Sequence, residues 1–245
     1  MSEANFCEAK MRQASFSEAK MRETDFSETK ISGMWEILLR HKDFVAINKP
    51  AGVAVHQEEG AVNLSQTLAQ QLGVPQVWLL HRLDKPTSGV LLFALNREAA
   101  GVLAAQFADK TMRKTYWALG DAKPLKKQGW VKGSMVKSRR GTWRLARSGG
   151  NQAVTYFNSF SLAPKLRLFV LQPHTGKTHQ LRVALKSLGS PIIGDTLYGG
   201  TPAARMFLHA RELAFSHQGE TFRITAPLDT AWPTEYISAT LGEAV

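Results

Sequence analysis

The chain has 245 residues, 44% of them hydrophobic, a formal net charge of +11 and one cysteine. This length gives a sizeable core in one large domain or two small ones. No apolar run reaches the roughly 18 residues of a membrane span, the N-terminus lacks the apolar stretch of a secretory signal, and Cys7 alone excludes an internal disulfide, so a cytoplasmic protein is expected.

Residues 4–33 divide into pentads, ANFCE, AKMRQ, ASFSE, AKMRE, TDFSE and TKISG, with Phe, Met or Ile at each centre. A five-residue period fits neither a helix face nor a strand face, and it resembles the pentapeptide-repeat proteins. Six pentads bury little without stacked neighbours, so an appendage to a domain starting near Met34 is expected. WEILLRHKDFVAINKPAGVAVH (35–56) predicts two short strands around the Lys-Pro-Ala-Gly turn. Helices are predicted over 63–73, with Gly73 as the stop, and over 96–110, with Asn96 as N-cap. Between them GVLLFAL (89–95) is a strand too apolar to face water. RKTYWALG, GWVKGSMV, GTWRLAR, AVTYFNSFSL and LRLFVLQP follow as strands, and THQLRVALKSLG (178–189) is a helix ending at Gly189. This order predicts an α+β fold whose mixed sheet is mainly antiparallel, with flanking helices.

The charge is unevenly placed. Between Asp121 and Asp195 there is no Asp or Glu, yet Lys132, Arg139, Arg140, Arg144, Arg147 and nine other Lys and Arg residues fall there. Trp130, Trp143, Tyr156 and Phe157 lie among them. Cations meet phosphates while aromatic rings stack bases, so RNA is the expected partner, with Arg139, Arg140 and Arg144 on its backbone.

HRLDKPTSGVLLFA (81–94) sets Asp84 between cations, on a loop confined by Pro, Thr, Ser and Gly and anchored by the strand behind it. With NKPAGVAVH (48–56), KTYWALG (114–120), HTGKTHQLRVALKSLGSPIIGDTLYG (174–199) and HARELAF (209–215), it forms five ordered blocks. In these blocks residues 35–233 resemble the RNA pseudouridine synthases of the RluA type. The resemblance implies isomerisation of uridine to pseudouridine in structured RNA, ribosomal RNA before transfer RNA, by a bare catalytic domain at 34–245. It implies that Asp84 is the catalytic aspartate, that Tyr116 packs on the target uracil, that Arg182 pairs with Asp84, and that Arg82 holds the gap left by the flipped base. His81, Thr87, Lys177, His179 and Gln180 are then expected on the substrate side.

The reaction breaks the N1–C1′ bond and joins C5 to C1′, so it needs a carboxylate as nucleophile or proton acceptor. It involves no redox change or group transfer, so no cofactor and no metal is expected, nor any obligate protein partner; a monomer is expected. An opposite charge beside Asp84 keeps it ionised. Lys177 stands where the family usually has Arg, which keeps the charge but loses the planar fork. Gly-Lys-Thr at 176–178 also resembles the end of a phosphate-binding loop, but that pattern needs a Gly where Leu171 stands. The separations of His81, His174, His179 and His209 match no standard metal-ligand spacing.

Overall fold

The strand-rich middle of the sequence folds into one eleven-stranded sheet in the computed structural model, which describes residues 35–55 and 63–242. The pentads and Cys7 lie outside the described residues. In chain order the elements are β1 (Glu36–Arg40), β2 (Phe44–Lys49), α1 (Leu64–Leu72), β3 (Trp78–Leu79), β4 (Ser88–Ala94) and α2 (Arg97–Ala108). Then come β5 (Arg113–Gly120), β6 (Gln128–Lys137), β7 (Trp143–Ala146), β8 (Asn151–Ala163), β9 (Leu166–Pro173) and α3 (Gln180–Ser187). A hairpin of β10 (Leu208–His217) and β11 (Glu220–Thr225) and the helix α4 (Thr234–Leu241) complete the fold.

The strands run in the order β1-β2-β4-β10-β5-β9-β8-β6-β7, with β3 also on β4 and β11 on β10. Every pair is antiparallel except β4 with β10, which is parallel and joins only His209 to Ser88 and Ala210 to Gly89. Gly89 is required at this junction: its φ is 110° and a Cβ there would collide with the Ala210 carbonyl.

All seven residues of β4 are buried, because the sheet is covered on both faces. On one face α1 packs through Leu64, Leu68 and Leu72 on Val45, Ile47, Leu91 and Phe93, and α3 packs through Leu181 and Leu185 on Ala118, Phe157 and Phe169. The other face takes α2, through Ala99 and Leu103, and α4, through Ile237. The predicted caps form, Asn96 accepting from the Ala99 N–H and Gly73 closing α1 at φ 68°, and Asn63 adds a further cap by accepting from the Gln66 N–H.

The structure corrects the sequence reading in three places. The first two strands flank residues 41–43, not the Lys-Pro-Ala-Gly turn, which instead clasps the Asp84 loop. The helix predicted from 178 begins at Gln180, since His179 takes a left-handed φ of 57°. The β10–β11 hairpin and α4 were not predicted as elements. Among the described residues no helix is long and apolar enough to cross a membrane.

Candidate active site

The loop from β3 to β4 presents Asp84 by fixing both of its neighbours' directions. Leu83 is buried in the cluster of Val45, Ile47, Leu91 and Phe93, Arg82 is exposed, and Asp84 keeps 29% of its side chain exposed. A turn follows at once, with the buried Thr87 donating its N–H to the Asp84 carbonyl at 2.9 Å.

The loop is clamped from below by Lys49, a fully buried side chain. Its Nζ donates to the carbonyls of Val53, Pro50 and Lys85 at 2.8, 2.9 and 3.1 Å, and the Gly52 N–H donates to the same Lys85 carbonyl. Three acceptors match the three donors of an ammonium and tie the Lys-Pro-Ala-Gly turn to the residue after Asp84. Burial pushes the Lys49 pKa down to about 7, with Arg205 adding to the effect and Asp84 opposing it.

From α3, Arg182 reaches Asp84 with Nη1, 3.6 Å from Oδ2. Its other nitrogens belong to the buried Asp195: Nε–Oδ2 and Nη2–Oδ1 are each 2.7 Å. The predicted partnership with Asp84 is therefore present, but the planar fork is spent on Asp195. Burial disfavours the Arg182 charge, yet the two carboxylates outweigh it and its pKa is raised.

The guanidinium also lies 4.9 Å from the centre of the Tyr198 ring. Tyr198 Oη accepts from the Trp143 N–H at 2.9 Å and shares a hydrogen bond of 2.8 Å with His179 Nδ1. Burial lowers the His179 pKa. Tyr116 projects from β5 on the same sheet face, where it packs on the clusters beneath both α1 and α3. Burial raises its pKa, with the Asp84 charge acting in the same direction, so it is neutral.

The structure thus brings Asp84, Tyr116, Arg182 and His179 together, with Arg82 and Thr87 on the same loop as Asp84. Gln180 is used internally, accepting from Thr175 and the Lys177 N–H and donating to Val154 and Thr155, which fastens the loop before α3 to β8. His81 accepts the Leu92 N–H at Nε2 and stacks on Phe107, and burial pushes its pKa down to about 3. His209 bridges Ser88 and the Ala226 carbonyl, its pKa pushed down to about 4. Arg139 and Arg140 lie in a turn of 3-10 helix between β6 and β7, and Arg144 on β7. Lys49, Asp195 and Tyr198 were missed as site residues; Asp195 had a signal, as the first acid after the acid-free stretch and inside a recognised block.

The site thus combines a carboxylate on a pinned loop, a guanidinium held beside it and a neutral tyrosine. The family model for RNA pseudouridylate synthase matches residues 43–187, and the model for pentapeptide repeats matches 1–33. An uncharacterized RNA pseudouridine synthase of Haemophilus influenzae is 49% identical over 192 residues, 78% of this chain and 86% of that protein. A ribosomal large subunit pseudouridine synthase C of Rickettsia bellii is 39% identical (74% of this chain, 63% of that protein) and a tRNA pseudouridine synthase C of Vibrio vulnificus is 34% identical (81% and 93%). The solved structure of human RNA Pseudouridylate Synthase Domain Containing 4 superposes with a TM-score of 0.67 at 27% identity, over 80% of this chain and 89% of that one. The chain belongs to the RNA pseudouridylate synthase family: it is an isomerase that converts uridine to pseudouridine in RNA.

Proposed function

We propose that Asp84 is the catalytic carboxylate, with Arg182 and Tyr116 beside it, and that the target is a loop uridine in large-subunit ribosomal RNA. The observation that carries this reading is the approach of Arg182 Nη1 to Asp84 Oδ2 at 3.6 Å within an otherwise buried arrangement. In the reaction the N1–C1′ bond breaks, the base turns, C5 bonds to C1′, the C5 hydrogen leaves as a proton and N1 gains one. Asp84 acts on the flipped nucleotide, Arg182 pairs with the carboxylate and aims it, and the neutral Tyr116 ring supports the uracil face. Arg82 fills the gap left in the stem-loop, and Lys177, Arg139 and Arg140 meet phosphates.

Relatives named for large-subunit ribosomal RNA and for transfer RNA are similarly alike to this chain, at 39% and 34% identity over 191 and 236 residues, so the choice rests on the cost of flipping the base. A loop base that is already weakly stacked costs least to flip, which favours a compact stem-loop. The catalytic unit is residues 34–245, acting as a cytoplasmic monomer, with 1–33 as an appendage.

The test is chemical mapping of pseudouridine across cellular RNA with the wild-type gene and with Asp84→Asn in its place. Loss of a site in large-subunit ribosomal RNA supports the proposal. Loss only in transfer RNA overturns the target, and an unchanged map overturns the role of Asp84.

A further inference from the structure

The sheet face turned away from α3 carries a second group of RNA-like chemistry. Strand residues alternate between faces. Val131 and Phe157 pack beneath α3, so their neighbours Trp130, Lys132 and Tyr156 point to the reverse face. There Trp130 lies opposite Tyr156 across β6 and β8, with ring centres 5.1 Å apart, and the exposed His174 ring is 4.9 Å from Trp130. Trp130 is 47% exposed, so this is not a core cluster. The Lys132 ammonium sits 5.3 Å from its ring centre.

Lys132 also lines an open cleft of about 680 Å³, together with Arg144, Arg147 and Gln152. Lys132 therefore belongs both to the aromatic cluster and to the basic cleft. Every residue of both comes from the stretch with no Asp or Glu between 121 and 195, so no carboxylate of that stretch offsets the field. A flat ring beside fixed cations matches single-stranded nucleic acid, whose bases stack while its phosphates need charge. The opposite sheet face bears Asp84, so the base stacked here is not the target.

We propose that this reverse face binds a single-stranded RNA segment flanking the modified stem-loop. One base stacks on Trp130, and its phosphates run past Lys132 toward Arg144 and Arg147. The inference rests on the reading of a stem-loop substrate and extends that reading to RNA outside the loop. It also makes Arg144 a contact to the flank, apart from Arg139 and Arg140.

The experiment measures binding of full-length protein, by fluorescence anisotropy, to two labelled RNAs: a hairpin with a single-stranded tail of about six nucleotides and the same hairpin blunt. Wild type should prefer the tailed RNA by about tenfold, the scale of one base stacked on an aromatic side chain. Trp130→Ala and Lys132→Ala/Arg147→Ala should each abolish most of that preference without changing affinity for the blunt hairpin. Trp130→Phe should restore part of it. A wild type without tail preference, or a Trp130→Ala protein that keeps it, overturns the proposal. Asp84→Asn separates the two readings, because it should keep the full preference while losing pseudouridine formation; an active Asp84→Asn sinks the site assignment and leaves the reverse face standing.

Discussion

Arg182 holds Asp195 with two nitrogens at 2.7 Å and presents the third to Asp84 at 3.6 Å. Asp195 is thus the residue that aims the guanidinium, while Asp84 receives it at longer range with 29% of its side chain exposed. The shorter, fully buried pair sets the geometry of the longer one.

Asp195→Asn should therefore damage catalysis more than binding. With one carboxylate oxygen replaced by an amide, the fork is lost and Arg182 rotates away from its bearing on Asp84. The single-turnover rate at saturating RNA should drop about 10²-fold, the usual effect of misplacing a reacting group by an ångström, while RNA affinity stays near wild type. Stability should also fall by about 3–5 kcal/mol, because a buried cation is left underpaired. Chemical denaturation and single-turnover assays check the two effects separately, and a wild-type rate would show that Asp195 does not orient Arg182.

Lys49 supplies a pH prediction. Its folded pKa of about 7 lies below the roughly 10.4 of an unfolded lysine, so between these values the unfolded chain binds the extra proton. Its burial penalty is complete below about pH 7 and is relieved as pH rises toward 10. The unfolding free energy of wild type minus that of Lys49→Met should accordingly increase across this window. A flat difference would mean that the three carbonyls hold the ammonium charged throughout.

Gly89→Ala tests the single parallel junction of the sheet. The new methyl would meet the Ala210 carbonyl on a backbone whose φ of 110° side chains rarely adopt. A loss of about 3 kcal/mol or more in urea unfolding is expected, above the common cost of overpacking alone. Rates should fall with it, since the turn after Asp84 ends at this strand. An unperturbed variant would show that the two strands separate at little cost.

Arg139→Ala/Arg140→Ala should weaken RNA binding uniformly across sequences. Each lost phosphate contact removes about 0.7–0.9 from the slope of log affinity against log salt. A slope equal to wild type in a salt titration would place the RNA backbone away from the β6–β7 turn.

Much of this was legible from one chain because the relevant signals are local. The β4 run GVLLFA is uniformly apolar and is buried on both faces; Asn96 and Gly73 cap the helices at the positions their chemistry favours. What escaped depends on distant partners. Nothing near Lys49 in sequence says that its amine will be closed over by a carbonyl 36 residues away. Asp195 and Arg182 are 13 residues apart, across a helix end and a turn, a separation with no periodic meaning. His81 and Gln180 sit inside recognised blocks, yet each is consumed by internal hydrogen bonds, which a motif does not distinguish from substrate contacts.

The parallel junction of β4 with β10 also governs when the enzyme becomes an enzyme. Asp84 precedes β4 on one side of that seam, and Tyr116 on β5, Arg182 on α3 and Asp195 in the segment after α3 lie on the other. Ser88 and His209, which meet across it, are 121 residues apart in the chain. Each half can form its own hairpins from nearby sequence, but the carboxylate and its guanidinium meet only after this distant closure, whose loop entropy must be met first. Recovery of pseudouridine formation during refolding is therefore a clock for the seam, and it should lag behind the return of secondary structure.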